Sequence, residues 1–114
     1  MPHCIIEYSH EVADQVSIDD LIAAAHRGAM DSGLFDEYDI KTRAMACLHH
    51  RTGQTQDSFV HVTLRLLSGR NDQQKSLLSE KLLASIEPLL PNVASVGVEI
   101  CDMHSESYRK RVLP

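Results

Sequence analysis

Long uninterrupted apolar segments are absent from this sequence of 114 residues. A helix that crosses a bilayer needs about 20 mostly apolar residues, and charged residues here interrupt every apolar stretch well before about 18 residues. The opening stretch MPHCIIEYS also lacks the basic region and the long apolar core of a secretory signal. These absences predict a cytoplasmic protein without a membrane span.

An excess of basic residues is also absent. Lysine and arginine number 11 against 16 aspartate and glutamate residues, which gives a formal net charge of −5. This balance argues against a broad nucleic-acid surface, although Arg109, Lys110 and Arg111 are adjacent near the C-terminus. The simplest interpretation of that triplet is a solvated tail. An acidic protein can still bind a small anion where a few cations converge.

Paired metal-ligand or disulfide motifs are the third absence. The cysteines are Cys4, Cys47 and Cys101, an odd number in apolar strand-like segments, which favours reduced, buried thiols over a disulfide framework. Seven histidines are present, but CLHH and CDMH are isolated and lack the paired spacing of CxxC or HExxH. The sequence therefore predicts no metal site.

Hydrophobic periodicity predicts six elements in a single domain, residues 1–114. Alternation with a period of two marks the strands, and apolar residues at helical spacing mark the helices. Ser17 and Asp20 form the pattern of a capping box at the start of the first helix. In chain order the predicted elements are a strand at 3–8, a helix at 17–33, a strand at 40–49, a strand at 58–67, a helix at about 72–90 and a strand at 93–101. Residues 102–114 lack periodicity and are predicted to form a C-terminal tail.

This order predicts an α+β fold made of two βαβ halves. Because βαβ crossovers are right-handed, both helices should lie on the same face of one four-stranded sheet. The other face then has no cover within the chain, and Ile5, Met45 and Cys47 place apolar side chains on it. We expect that face to pack on another copy of the chain, which makes the protein a homo-oligomer.

Pro2 follows the initiator methionine and precedes the first predicted strand. Proline is well tolerated there because a strand's first residue need not donate a hydrogen bond. A small second residue also usually allows removal of Met1, which would leave Pro2 with a free secondary amine. The α-amino pKa of about 8 falls with burial or a neighbouring cation toward about 7, where a general base works best. Pro2 is therefore the candidate catalytic residue.

Several segments together resemble one known family. They are MPH with the following EYS, then DSGLF, DIKTR, SFVHVTLRLLSGR and VGVEICDMH, and they span nearly the whole chain. The sequence resembles the 5-carboxymethyl-2-hydroxymuconate isomerases of the tautomerase superfamily. The resemblance implies the tautomerase fold, a homotrimer, no metal and no cofactor. It also implies an isomerase that interconverts enol and keto groups of a hydroxymuconate in aromatic (homoprotocatechuate) degradation, with Pro2 transferring the proton.

A dienol substrate with several carboxylates requires fixed cations, and the planar fork of arginine matches a carboxylate best. Arg70 is the first candidate, because it lies between the third strand and the second helix, and the resemblance points to the same position. In DIKTR the family usually has an arginine where this chain has Lys41, and Arg43 follows on the same strand face. Either cation is a candidate for the substrate site. Lysine cannot form the bidentate fork, so this departure leaves the exact substrate open.

Two other functions remain compatible with the same residues. The lysine at position 41 favours a trimeric protein that binds small anions without turnover. The third hypothesis is a related tautomerase that acts on another unsaturated acid. His61 is a weaker catalytic candidate, since a histidine among apolar strand residues is more often a hydrogen-bonded core group than a catalyst.

Overall fold

The computed structural model describes residues 1–114, and it confirms the predicted order of elements. Short 3-10 turns, which the periodicity does not predict, connect several of them. The fourth strand runs two residues past its predicted end, because Met103 pairs with Leu67. The strands and helices are β1 His3–Ser9, α1 Ile18–Asp31, β2 Lys41–Cys47, β3 Phe59–Leu67, α2 Asp72–Ile86 and β4 Ser95–Met103.

The four strands form one mixed sheet in the order β2-β1-β3-β4. β1 is parallel to β2, β3 is parallel to β4, and the antiparallel pairing of β1 with β3 joins the two βαβ halves. As a result, the starts of β1 and β2 lie beside the ends of β3 and β4, with His3 paired to both Lys41 and Arg65. We call this end of the sheet, formed by residues 1–3, 39–41, 65–70 and 101–104, the proline edge.

The core fills the space between one face of the sheet and both helices. Alternate residues of β1 and β3 meet the inward stripes of α1 and α2 there. Leu77, which the helical pattern places on the packed side, is instead 45% exposed, because the inward stripe of α2 is Leu78, Leu82 and Ile86. Fully buried core residues include Cys4, Ile6, Leu21, Ala25, Val62, Leu64, Leu78 and Leu82.

The two helices begin with caps of unequal quality. Ser17 accepts from the Asp20 backbone N–H at 3.4 Å, without the reciprocal bond that completes a capping box. The aspartate side chain is one methylene shorter than the glutamate or glutamine of that motif. Asn71 and Gln74 form the full box, with distances of 2.8 and 3.0 Å. The start of α2 is therefore the more firmly capped of the two.

The face of the sheet away from the helices, which we call the open face, is more polar than the sequence predicts. Ile5 lies there between Arg43 and Thr63 in register, so this apolar side chain has a charged neighbour on one side and a polar one on the other. His61 pairs with Glu99 at 2.8 Å on the same face. None of the helices is both long and apolar enough to cross a bilayer.

Candidate active site

Pro2 lies at the entrance to β1, and its side chain is buried. By strand alternation its ring is on the helix side of the sheet, the same side as Cys4. The Lys41 backbone N–H donates to the Pro2 carbonyl at 3.0 Å, and the Met1 amine donates to the Asp39 carbonyl at 2.7 Å. The start of the chain is thus fixed against the segment that leads into β2.

The electrostatic environment at this end favours a neutral amine. The pKa of the Met1 amine is lowered from 8.0, first by burial and then by the cations Lys41 and Lys110, while Asp39 acts in the opposite direction. Both burial and nearby cations disfavour the protonated form of an amine. The neutral form of the Met1 amine is therefore favoured more here than it is in water.

Arg70 is held in place by backbone and ring contacts. Its guanidinium donates to the carbonyls of Leu67 and Leu34, at 3.4 and 3.1 Å, and lies 5.4 Å from the centre of the Phe35 ring. These bonds use two of the five N–H donors of a guanidinium, so donors remain for a carboxylate. Leu34 and Phe35 belong to DSGLF, but sequence alone gives no signal for a carbonyl that orients an arginine.

The capping box leaves fewer free backbone N–H groups at the start of α2 to bind an anion. The Asn71 and Gln74 backbone N–H groups are already bonded within the box. A carboxylate near Arg70 would therefore depend on the guanidinium more than on these two amides.

Lys41 and Arg43 share a strand face but have different surroundings. Lys41 is the first residue of β2, at the proline edge, and its Nζ donates to the Asp39 carbonyl at 3.3 Å. Arg43 lies farther along the strand on the open face, where its Nη1 donates to His3 Nδ1 at 3.1 Å. The structure therefore places Lys41 at the same end of the sheet as Pro2 and Arg70, and it places Arg43 two residues farther along the same strand face.

His3 connects the open face to the C-terminal tail. Its Nδ1 accepts from Arg43, so the ring proton lies on Nε2, which is 3.4 Å from the hydroxyl of Tyr108. The pKa of His3 is lowered from 6.5, first by burial and then by Arg43 and Lys41. A neutral His3 is therefore the form that this network stabilises.

The tail contacts the proline edge, which the sequence does not predict. Besides Tyr108 at His3, Lys110 Nζ lies 3.8 Å from an Asp39 carboxylate oxygen. Arg109 and Arg111, the other members of the basic triplet, are exposed. Such contacts leave no periodic trace in a sequence.

The remaining candidate side chains are His61 and the cysteines. His61 is bonded to Glu99 on the open face. All three cysteines are free thiols, and burial raises the pKa of Cys4 to about 12, which makes it a poor nucleophile.

The single chain has three surface depressions, and Pro2 lines none of them. Two run along the exposed side of α2. The third, of about 310 Å³, borders the proline edge and is lined by Arg65, Asp102, Met103, His104, Ser107 and Tyr108.

Comparison with known families and structures identifies the family and the fold of this chain. The sequence model of the 5-carboxymethyl-2-hydroxymuconate isomerase family matches residues 2–101. The chain belongs to this family. Membership confirms the resemblance inferred from the sequence segments and makes the protein an enzyme of the tautomerase-type isomerases. Comparison with curated protein sequences finds no match.

Solved structures show the same fold at low sequence identity. A 5-carboxymethyl-2-hydroxymuconate isomerase from Deinococcus radiodurans R1 has a TM-score of 0.84 at 19% identity, over 96% of this chain and 88% of that one. A 5-carboxymethyl-2-hydroxymuconate delta-isomerase has a TM-score of 0.77 at 18% identity, over 98% and 88%. A fused 4-OT, described as an asymmetric trimer, has a TM-score of 0.72 at 17% identity, over 95% and 91%. The predicted tautomerase fold is confirmed.

Proposed function

We propose that this isomerase ketonises 5-carboxymethyl-2-hydroxymuconate or a similar 2-hydroxymuconate. The reaction would belong to aromatic (homoprotocatechuate) degradation in the cytoplasm. Family membership supports the reaction class. The observation that carries the substrate class is the presence of Lys41 and Arg70 at the same edge as Pro2, because a substrate with several carboxylates requires cations around its reacting carbons.

Pro2 is the proposed general acid and base, acting as a free secondary amine after removal of Met1. The amine takes the proton of the dienol hydroxyl, and the electron pair of that O–H bond moves to form the ketone. The double bonds shift along the conjugated system, and a carbon of the same system takes a proton from the Pro2 ammonium. No proton or electron is gained or lost overall, because the amine returns the proton that it takes.

Arg70 and Lys41 are the proposed carboxylate ligands. Arg70 has an orientation fixed by two carbonyls and a ring, so little side-chain entropy is lost when it binds. Lys41 supplies a point charge near the amine. Arg43 was an equal candidate by sequence, but its contact with His3 on the open face supports a structural role instead.

A homotrimer is the proposed assembly. One solved structure of this fold is described as a trimer, and the open face carries Ile5, Met45 and Cys47 without cover from the chain's own helices. A neighbouring chain that packs near the proline edge would provide the missing wall around Pro2. The partner in the reaction is then a small anionic dienol bound between two copies.

The deciding experiment follows ketonisation of a 2-hydroxymuconate by ultraviolet absorbance, using protein whose mass shows that Met1 is absent. We expect a rate far above the buffer background, and a fall of at least about 100-fold in Pro2→Ala, the range typical of a lost general base. A preparation that retains Met1 is the matched control, because its Pro2 nitrogen is part of a peptide bond. Equal rates in all three proteins would refute the role of Pro2.

Lys41 favours a second candidate, a trimer that binds small anions without turnover. Isothermal titration with the same dienol distinguishes the two functions. Binding without ketonisation by the processed protein would support the second candidate and would refute the first.

A further inference from the structure

We propose that His10, Glu11 and His50 bind a divalent transition-metal ion, with zinc the best match. These three residues lie at the end of the sheet opposite the proline edge. His10 and Glu11 follow directly after β1, and His50 follows β2, which is parallel to β1. Their ligand atoms all lie within 4.8 Å of one another. His50 is 39 positions from Glu11 and 40 from His10 in sequence, so the spacing rules that predict no metal site do not detect the cluster.

The distances in this cluster suit metal ligands better than hydrogen bonds. Glu11 Oε2 lies 3.6 Å from His10 Nε2 and 3.5 Å from His50 Nε2, and good N–H···O bonds are about 2.7–3.2 Å long. Two ligands of a tetrahedral zinc, each about 2.0–2.1 Å from the metal, are separated by about 3.3 Å. The carboxylate is therefore placed about as far from each imidazole as a shared metal ion requires.

The burial of His50 fixes the direction of its ring. The side chain is only 10% exposed, and its ring contacts Phe59 edge to face at a centroid distance of 5.5 Å. His50 Nδ1 is buried and has no hydrogen-bond partner, so the only polar contact of the ring is through Nε2 toward Glu11. The buried ring therefore presents Nε2 to the cluster.

A metal at Nε2 supplies a strong interaction that the chain's own groups do not give to this ring. Glu11 contributes the carboxylate, and its Oε2 faces the Nε2 atoms of both imidazole rings.

Two imidazoles and one carboxylate form a ligand set that zinc uses in proteins, usually with water in the fourth position. The fourth position here would face solvent, since the side chain of His10 is 54% exposed. Because His10 and Glu11 follow β1 and His50 follows β2, the metal would link the ends of two neighbouring strands. Binding of the metal should therefore also stabilise the fold.

The test is titration of the metal-free full chain with Zn²⁺ alone, by isothermal calorimetry. We expect one ion per chain and a fall in affinity of at least about tenfold in His10→Gln and in Glu11→Gln. His26→Gln and His49→Gln are matched controls, since His26 also pairs with a carboxylate, Glu37, and His49 is the exposed neighbour of His50. Both controls should bind zinc as the wild type does.

Two further measurements distinguish zinc bound at this cluster from zinc bound by other histidines on the surface. Co²⁺ should give the visible absorption of a tetrahedral complex in the wild type, and this absorption should disappear in His10→Gln. Zinc should raise the melting temperature of the wild type increasingly as its concentration rises, and the rise should be smaller in Glu11→Gln at the same zinc concentration. Equal zinc affinity in the wild type and in His10→Gln, or no binding at all, would overturn the proposal. No substrate is used, so the result is independent of the isomerase assay.

Discussion

At the scale of single residues, the proline edge combines one rigid cation with one flexible cation. Arg70 is fixed by Leu34, Leu67 and Phe35, whereas Lys41 makes one long bond to a carbonyl. If both bind carboxylates, Arg70 should determine orientation and Lys41 should contribute mainly charge.

Replacement of Arg70 by lysine tests this distinction. Arg70→Lys keeps the charge but loses the planar fork and its two carbonyl contacts, so we expect kcat/KM to fall about 10- to 100-fold. Arg43→Lys is the matched control on the open face, where the same exchange should change kcat/KM less than about twofold. A larger loss in the control would assign the substrate contact to Arg43.

His3 should make stability depend on pH in a defined window. Its folded pKa is below 6.5 because burial and the nearby cations disfavour the charged ring. The unfolded chain therefore binds the proton first, and the free energy of unfolding should decrease as pH falls below about 6.5, until the folded ring is also protonated. The pKa values of Glu11 and Glu99 are also lowered in the folded chain. They change the free energy of unfolding only below pH 4.5, outside the range in which His3 acts.

Urea unfolding between pH 7 and 5 measures this effect. His3→Gln should lose stability less steeply than the wild type over that range, whereas His49→Gln, on the exposed loop after β2, should match the wild-type slope. A steeper decline in His3→Gln would show that the folded protein prefers the charged ring.

At this scale the sequence identifies residue types better than their partners. Chemistry and resemblance select Pro2, Lys41, Arg43 and Arg70 as candidates, and period-two spacing correctly places Lys41 and Arg43 on one strand face. The contacts that separate them come from residues distant in sequence, such as His3 for Arg43 and Leu34 for Arg70. No local pattern encodes those distances.

At the scale of elements, the two helices approach most closely at Gly28. A side chain there would meet Ser85 Oγ, and the Leu82 Cα and Lys81 carbonyl oxygen would lie only 3.1 Å from its Cβ. Glycine therefore allows α1 and α2 to pack closely over the sheet. The helical period predicts both helices, but it does not reveal that this glycine is required by the partner helix.

Gly28→Ala should lower the free energy of unfolding by about 1–3 kcal/mol through overpacking, even though alanine favours a helix by about 1 kcal/mol over glycine. Ser85→Ala removes the nearest obstructing atom, so the cost of Gly28→Ala should be smaller in that background. Urea unfolding of the two single variants and the double variant measures the coupling. A stabilising Gly28→Ala would show that the helices move apart easily.

At the scale of the whole molecule, the order of elements was predictable because each strand and helix carries a clear period. The handedness of βαβ crossovers then leaves few arrangements, and the observed order β2-β1-β3-β4 is one of them. The polar character of the open face was less predictable. The sequence identifies apolar positions such as Ile5. Which side chains lie beside them on the neighbouring strands, here Arg43 and Thr63, depends on the pairing register.

The proposed trimer makes the open face an interface, and a charge introduced there should weaken it. Ile5→Lys places a second cation beside Arg43, so we expect sedimentation velocity to shift from a trimer of 12.7 kDa chains toward monomer. Leu77→Lys, on the exposed side of α2, is the control and should remain trimeric. Unchanged assembly in both variants would place the interface elsewhere.

The central position of β1 imposes an order on folding during synthesis. β1 is made first, and α1 and β2 can complete its first pairing, but its other edge pairs with β3, which begins at Phe59. Until that segment leaves the ribosome, one row of N–H and C=O groups on an apolar strand has no partner, and such an edge can pair with other chains. A chain stopped before Phe59 should therefore aggregate, because its first strand is complete on only one side.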